Sequence, residues 1–323
     1  MSTSAATCAV VFKAYNGDSF VERQARRLAE AAGSMDFYVL IDETAAPVGP
    51  IPFERVIRFT CEDLEAAGLA MRFGAGGVLW WNPDYAHYQF LTHCPAYDYY
   101  LFVEYDCLVQ CTLENFVARG IAQRADLIAL PISKTFDRWH WMPYQRDVYP
   151  FHEARLALLN VCFLSSRALK LLHHRRIAMD SDPGVRHWPS SELFVPSEVV
   201  RAGMTWLSLA SFGDVSRYDW FPPTLEEDLV AANGDAFLHP VLDRGRYLAS
   251  MLLNRGSLPP GELNRALSRF PREEYTKLIG PSARKGALKR IQHKLVSLRT
   301  QLLSHWGSPR PSSTAALEVS PRF

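Results

Sequence analysis

The chain has 323 residues and a formal net charge of +1 at pH 7, a balance that gives no global pull toward nucleic acid and excludes a surface built on bulk charge. With 48% hydrophobic and 21% charged residues, it has the composition of a folded globular protein with a substantial core, not of a disordered chain. The six cysteines (Cys8, Cys61, Cys94, Cys107, Cys111 and Cys162) include no Cys-x-x-Cys pair and no zinc-type His-Cys spacing, so they read as small buried hydrophobes of a reducing compartment. Met1 to Thr7 lack the basic and apolar regions of a signal peptide. No stretch approaches the roughly 20 apolar residues of a membrane span, and a cytoplasmic protein is expected.

Cys8-Ala9-Val10-Val11-Phe12 is a short apolar run, and the polar Lys13-Ala14-Tyr15-Asn16-Gly17-Asp18 after it reads as a loop with a turn signal at Asn16-Gly17. Phe20 to Ala32 carries helical spacing, with Gly33 as its stop. Phe37 to Ile41 is a second buried strand ending at Asp42, and Arg55 to Phe59 a third. Strand, helix and strand at this spacing predict a βαβ unit and a parallel sheet. Gly74, Gly76 and Gly77 follow a helix-like segment, Leu64 to Phe73, and not the first strand. The dinucleotide-binding fingerprint and the phosphate-binding loop therefore both lose their main support. Trp80 and Trp81 offer rings for a base or a sugar, with core packing as the competing use. Pro83 is placed to begin a helix in which Tyr85, Tyr88 and Phe90 pack.

The next segment, Tyr97 to Asp106, is the centre of the reading. Its aromatic and apolar residues predict a buried central strand, and it ends in Glu104 and Asp106, two carboxylates one residue apart. Acids at the carboxyl end of a buried parallel strand lie in the crevice where open α/β sheets bind ligands. Paired hard oxygens there suit a divalent cation carrying a nucleotide diphosphate; solvated acids at a strand end are the plain alternative. A helix over Leu113 to Gln123 and a strand over Leu127 to Pro131 follow. From Phe136 to Phe151 rings and polar groups interleave, as on a carbohydrate-binding surface or in an ordinary packed loop. Leu156 to Ser165 is strand-like and runs into a helix from Arg167, for which Ser165 is the cap. Ser190 or Ser191 caps another helix, whose first-turn Glu192 is also what the helix dipole favours. Thr205 to Leu209 is a late strand, and His239-Pro240-Val241 closes a last apolar run.

Glu104-Tyr105-Asp106, the Asn160 strand, the Ser-Glu helix start and His239-Pro240-Val241, in that order, resemble the GT-A glycosyltransferases of bacterial type over roughly residues 7–245. The resemblance implies an α/β, Rossmann-like, mostly parallel sheet flanked by helices. It also implies a nucleotide-sugar donor, a glycan or lipid-linked acceptor, and Mn²⁺ or Mg²⁺ held by Asp106 and His239. In that frame Glu104 reaches the ribose or a metal-bound water, and Asn160 lines the acceptor site. Asp42 contacts the base or ribose, while Lys13, Tyr15 and Asn16 line the nucleotide pocket. Glu192 is the general base if the reaction inverts the anomeric centre, and Glu198 competes for that role. The first acid is Glu and not Asp, which puts its direct ligation of the metal in question.

Residues 284–306 repeat Leu288, Ile291, Leu295, Leu298 and Leu302 against Arg284, Lys285, Lys289, Arg290, Lys294 and Arg299. They predict a basic amphipathic C-terminal helix that lies on an anionic membrane, packs on its own domain or dimerises. The expected organisation is a catalytic domain over 7–250, a helical region over 251–306 and a disordered tail over 307–323. Two other readings remain open. One is a nucleotidyltransferase, which ordinarily has a Gly-rich basic loop after the first strand. The other is a catalytically silent glycan-binding or membrane-associated protein.

Overall fold

The computed structural model describes residues 6–72, 78–132, 148–230, 234–259 and 261–274. In chain order the elements are β1 (Cys8–Ala14), α1 (Ser19–Ala32), β2 (Asp36–Asp42), β3 (Val56–Phe59), α2 (Cys61–Ala66), α3 (Val78–Trp81), α4 (Pro83–His93) and β4 (Tyr99–Glu104). They continue with β5 (Leu108–Gln110), α5 (Leu113–Ala122), β6 (Leu127–Pro131), β7 (Ala157–Ser165), α6 (Ser166–Asp180), α7 (Ser191–Arg201), β8 (Trp206–Ser208) and β9 (Asp214–Tyr218). Last come β10 (Thr224–Leu225), β11 (Ala236–His239), β12 (Val241–Leu242), α8 (Arg244–Leu253) and α9 (Glu262–Leu267). Two compact units divide between Tyr247 and Leu248. The predicted helix over 284–306 and most of the aromatic run over 136–151 lie outside the described residues.

The main sheet has the order β3-β2-β1-β4-β7-β6-β8. The first four strands are parallel, as the βαβ spacing predicts, and β7 alone runs antiparallel to both its neighbours. Alternation divides the side chains between two cores. Ala9, Val11, Tyr100 and Phe102 face α4, α6 and α7. Val10, Phe12, Leu101 and Val103 face α1 and α5. The architecture is therefore a mostly parallel sheet with helices on both faces, the α/β class expected. Helix α2 is shorter and earlier than Leu64 to Phe73, because Thr60 caps it with a reciprocal Thr60–Asp63 box.

Two local features position the site. The first is the reversed direction of β7, which brings its amino-terminal half to the carboxyl end of β4: Val103 lies opposite Val161, so Glu104 meets Asn160. The second is a buried polar network beneath α4. The Arg176 guanidinium on α6 and the Asp84 carboxylate on α4 are both fully buried, 2.7 Å apart. Tyr88 donates to Asp84 at 2.9 Å, and Arg176 donates to the Pro189 carbonyl at 3.0 Å. The Ser191 hydroxyl, at the start of α7, donates a short hydrogen bond to the other Asp84 oxygen. Ser190 makes no side-chain cap bond, so the expected capping serine gives way to a tether through its neighbour. The network fixes the amino terminus of α7 against α4, and with it the backbone of Glu192.

Removing one member of a buried ion pair leaves the other charge stranded. Arg176→Met is expected to cost about 3–5 kcal/mol in urea unfolding, and pairing it with Asp84→Asn to recover a large part of that loss.

Candidate active site

Three strand ends and one helix start converge at the carboxyl edge of β4. β1 runs two residues beyond the apolar run that ends at Phe12, so Lys13 is not in a loop: it is a strand residue, fully buried, in register with Glu104 on the neighbouring strand. Its ammonium donates to Glu104 Oε1 at 3.3 Å and to His87 Nε2 at 3.1 Å. Because an ammonium only donates, His87 accepts through Nε2 and carries its proton on Nδ1. Burial, with the nearby Lys13 charge, pushes the His87 pKa well below the ordinary imidazole value, which keeps the ring neutral. The ring stacks on Phe102 at 3.9 Å. Asn160 donates to the second Glu104 oxygen at 2.7 Å, so both oxygens of Glu104 are engaged within the chain.

Asp106 is held differently. The chain turns after β4, and β5 pairs antiparallel with β11, Leu108 opposite Leu238. That register brings the residues just before Leu108 to those just after Leu238, so Asp106 and Cys107 meet His239, and the Val241 amide donates to the Asp106 carbonyl at 2.7 Å. His239 Nε2 lies 3.6 Å from Asp106 Oδ1, too far for a hydrogen bond. The other ring nitrogen, Nδ1, donates to the Asp219 carbonyl at 2.8 Å, which aims Nε2 at the carboxylate, the arrangement that orients metal-ligating histidines. Asp106 Oδ1 is buried and accepts no hydrogen bond. Burial opposes a charge on His239, but the Asp106 and Glu104 carboxylates outweigh it and hold its pKa above the ordinary value.

A metal fits this pair. Ligand atoms of Asp106, Cys107 and His239 lie within 4.8 Å of one another. A buried carboxylate oxygen without a partner beside an oriented imidazole nitrogen is a donor set for a divalent cation that also takes phosphate oxygens. Cys107 is the poorest of the three donors, because burial and the nearby Asp106 and Glu104 charges push its thiol pKa well up. A neutral thiol in an apolar core is a packing group.

Glu192 faces the same cleft from the first turn of α7. Burial, the Glu104 charge and, in the opposite sense, His239 set its pKa at about 7. That is the range in which a carboxyl group exchanges protons at neutral pH. Its competitor Glu198 is occupied by the Tyr149 hydroxyl at 3.0 Å, Arg201 at 3.2 Å and Arg175 at 3.5 Å, which makes it a structural acid.

The remaining predicted residues sit around the rim. Asp42 ends β2 as expected and is buried; burial raises its pKa, while the Thr44 and Leu79 amides and the Thr44 hydroxyl lower it. Asp42 is thus largely committed to its own loop, accepting from the Thr44 amide at 2.8 Å. Tyr15 is half-exposed, its hydroxyl 3.2 Å from that of Tyr105 and its ring edge-on to that residue. Asn16 carries a buried amide oxygen without a hydrogen-bond partner. Trp80 is exposed and Trp81 buried. Sequence reasoning missed His87 and Asp84. The available signal was a helix of tyrosines and phenylalanine carrying Asp84, His87 and Gln89, and every residue of it from Pro83 to Leu91 is buried.

No family model and no curated protein matches the chain. Solved structures similar to it include a glycosyltransferase involved in the glycosylation of the major capsid of PBCV-1, at 10% identity and a TM-score of 0.36, covering 72% of this chain and 92% of that one. The galactosyltransferase LgtC, in complex with donor and acceptor sugar analogs, is similar at 10% identity and a TM-score of 0.39, covering 68% of this chain and 76% of that one. An active-site mutant of LgtC matches at the same identity and score.

The raised pKa of Glu192 has a stability consequence. The protonated carboxyl suits the fold, so its contribution is fully present below the unfolded value of 4.5 and is lost as pH rises through about 7. In chelator, Glu192→Gln is expected to unfold at higher urea than wild type at pH 8, by about 1–3 kcal/mol, and to differ little at pH 4.

Proposed function

We propose that the chain is a metal-dependent glycosyltransferase of the GT-A type. It moves a sugar from a nucleotide-sugar donor to a hydroxyl of a glycan or lipid-linked acceptor. The observation that carries this reading is the Asp106–His239 pair, with its unpartnered carboxylate oxygen, at the same strand edge as a glutamate whose pKa is about 7. Donor activation and acceptor deprotonation require those two chemistries side by side.

Asp106 and His239 would hold Mn²⁺ or Mg²⁺, which when bound supplies Lewis acidity and charge neutralisation to the leaving diphosphate. Within the chain, the Asp219 carbonyl keeps His239 Nε2 turned toward Asp106. Glu192 takes the proton of the acceptor hydroxyl, and at a pKa of about 7 a large fraction of it is ionised at neutral pH. This role for Glu192 belongs to a reaction that inverts the anomeric centre. Asn160, held on Glu104, presents its free amide oxygen to substrate hydroxyls. Tyr15 and Asn16, on the loop after β1, and Asp42, at the end of β2, border the space for the nucleotide. Lys13 is removed from that list, since its ammonium is buried against Glu104 and His87.

No described helix is long and apolar enough to cross a membrane. The basic and leucine-rich alternation over 284–306 supports a peripheral contact with anionic lipid at the cytoplasmic face, where a lipid-linked acceptor would be reached.

Thermal stability against UDP-, GDP-, CMP- and dTDP-compounds, with and without Mn²⁺, tests the reading. One nucleotide is expected to raise the melting temperature by several degrees only with Mn²⁺, and Asp106→Ala to abolish the shift. Slow Mn²⁺-dependent hydrolysis of the matching donor sugar should accompany it. The absence of any nucleotide-dependent shift would remove the transferase reading and leave a glycan-binding protein in its place.

A further inference from the structure

We infer that Lys13 is a built-in counter-cation that withholds Glu104 from the metal, so that Asp106 and His239 bind the ion while the Lys13–Glu104 pair sets how tightly they do so. The inference rests on the metal site proposed above and concerns how that site is charged.

The two acids of Glu104-Tyr105-Asp106 are one residue apart but occupy opposite circumstances. Glu104 has both oxygens engaged: Oε1 with Lys13 Nζ at 3.3 Å and Oε2 with Asn160 Nδ2 at 2.7 Å. Asp106 Oδ1 is buried and accepts nothing. An ion entering between them finds the carboxylate without a hydrogen bond on Asp106, its Oδ1 buried and unpartnered. Lys13 has little freedom to release its partner. It is fully buried on a central strand, in register with Glu104, and its second hydrogen bond goes to His87, whose ring is stacked on Phe102. His87 is also neutral, so the ammonium faces one charge and cancels it. The cleft therefore presents a divalent cation with the field of Asp106 and of whatever fraction of Glu192 is ionised, without the added charge of Glu104.

Removing the Lys13 charge while leaving Glu104 ionised should then strengthen binding. A unit charge a few ångströms away at an effective dielectric near 20 changes a cation's affinity by tenfold or more. Removing both charges together should change it little.

The test is binding of Mn²⁺ alone to the full chain, followed by the loss of the free-ion electron paramagnetic resonance signal, without nucleotide. Lys13→Met is expected to bind Mn²⁺ at least tenfold more tightly than wild type. Lys13→Met/Glu104→Gln should return to within about threefold of wild type, and Asp106→Asn should lose binding. The double variant replaces a buried ion pair by groups of similar volume, a change folds tolerate, so it decides the question even where Lys13→Met alone unfolds. Loss of Mn²⁺ binding in the double variant would make Glu104 a ligand and overturn the inference, as would unchanged or weaker binding in a folded Lys13→Met. A wild type without saturable binding dependent on Asp106 would overturn the metal site itself, and the inference with it.

Discussion

A buried ammonium at the carboxyl end of β1 determines the charge arrangement of the whole cleft. Lys13 occupies a position where alternation calls for a core residue, on the face shared with Ala9 and Val11. A charge there is tolerable only if it is paired and hydrogen-bonded. Glu104 supplies the opposite charge and His87 a neutral acceptor. Once Glu104 is committed in this way, Asn160 is fixed by Glu104, and Asp106 is left as the acid whose Oδ1 faces His239 without accepting a hydrogen bond. Three carboxyl groups, Glu104, Asp106 and Glu192, share one strand edge, and without Lys13 and His239 to oppose them their mutual repulsion would open it.

Helix α4 connects this arrangement to the rest of the site. Asp84 and His87 lie three apart in sequence and so are near neighbours on one side of the helix. Asp84 holds Arg176 and, through Ser191, the start of α7; His87 holds Lys13. Glu104, through Lys13, and the proposed base Glu192, through Ser191, are thus both tied to one helix, which is buried along most of its length. Such a helix pays for its polar residues in desolvation, and the cost is offset because each of those residues finds a partner in the interior. The Glu104 carboxylate and the start of α7 are held in place as a result, since neither can move without breaking a buried hydrogen bond.

The strands and helices that run as single periodic segments were legible in the sequence. Phe37 to Ile41, Leu127 to Pro131 and the Pro83 helix all fall within a residue or two of the observed elements. The order of acidic motif, Asn160, Glu192 and His239 singled out residues separated by up to 135 positions, from Glu104 to His239, of which Glu104 and Asn160 are hydrogen-bonded and Asp106 and His239 lie side by side. What periodicity could not give was pairing. Lys13 looks like the first residue of a polar loop, and only the register of β1 against β4 shows it to be a strand residue with a partner 91 positions away. The Asp84–Arg176 bond spans 92 positions and leaves no local trace, since Arg176 stands in the polar run His173-His174-Arg175-Arg176 where nothing marks it for burial. The reversal of β7, which brings Asn160 to the site, is likewise a property of topology and not of composition.

Glu192 and Glu198 show how function separates from structure within one helix. Both lie on α7, and either reads as a general base from spacing alone. Glu198 is enclosed by Tyr149, Arg175 and Arg201, so both of its oxygens are engaged within the chain. Glu192 has the favourable dipole of a helix start, yet burial and the Glu104 charge overcome it and carry its pKa to about 7. A fold selected for stability alone would let the helix start relax toward water. Here Ser191, anchored on Asp84, prevents that relaxation one residue before the glutamate. The local rules of sequence are broken at Lys13, at Asp84 and at Glu192 together, and conflicts of that kind gather where a protein keeps a costly arrangement because chemistry requires it.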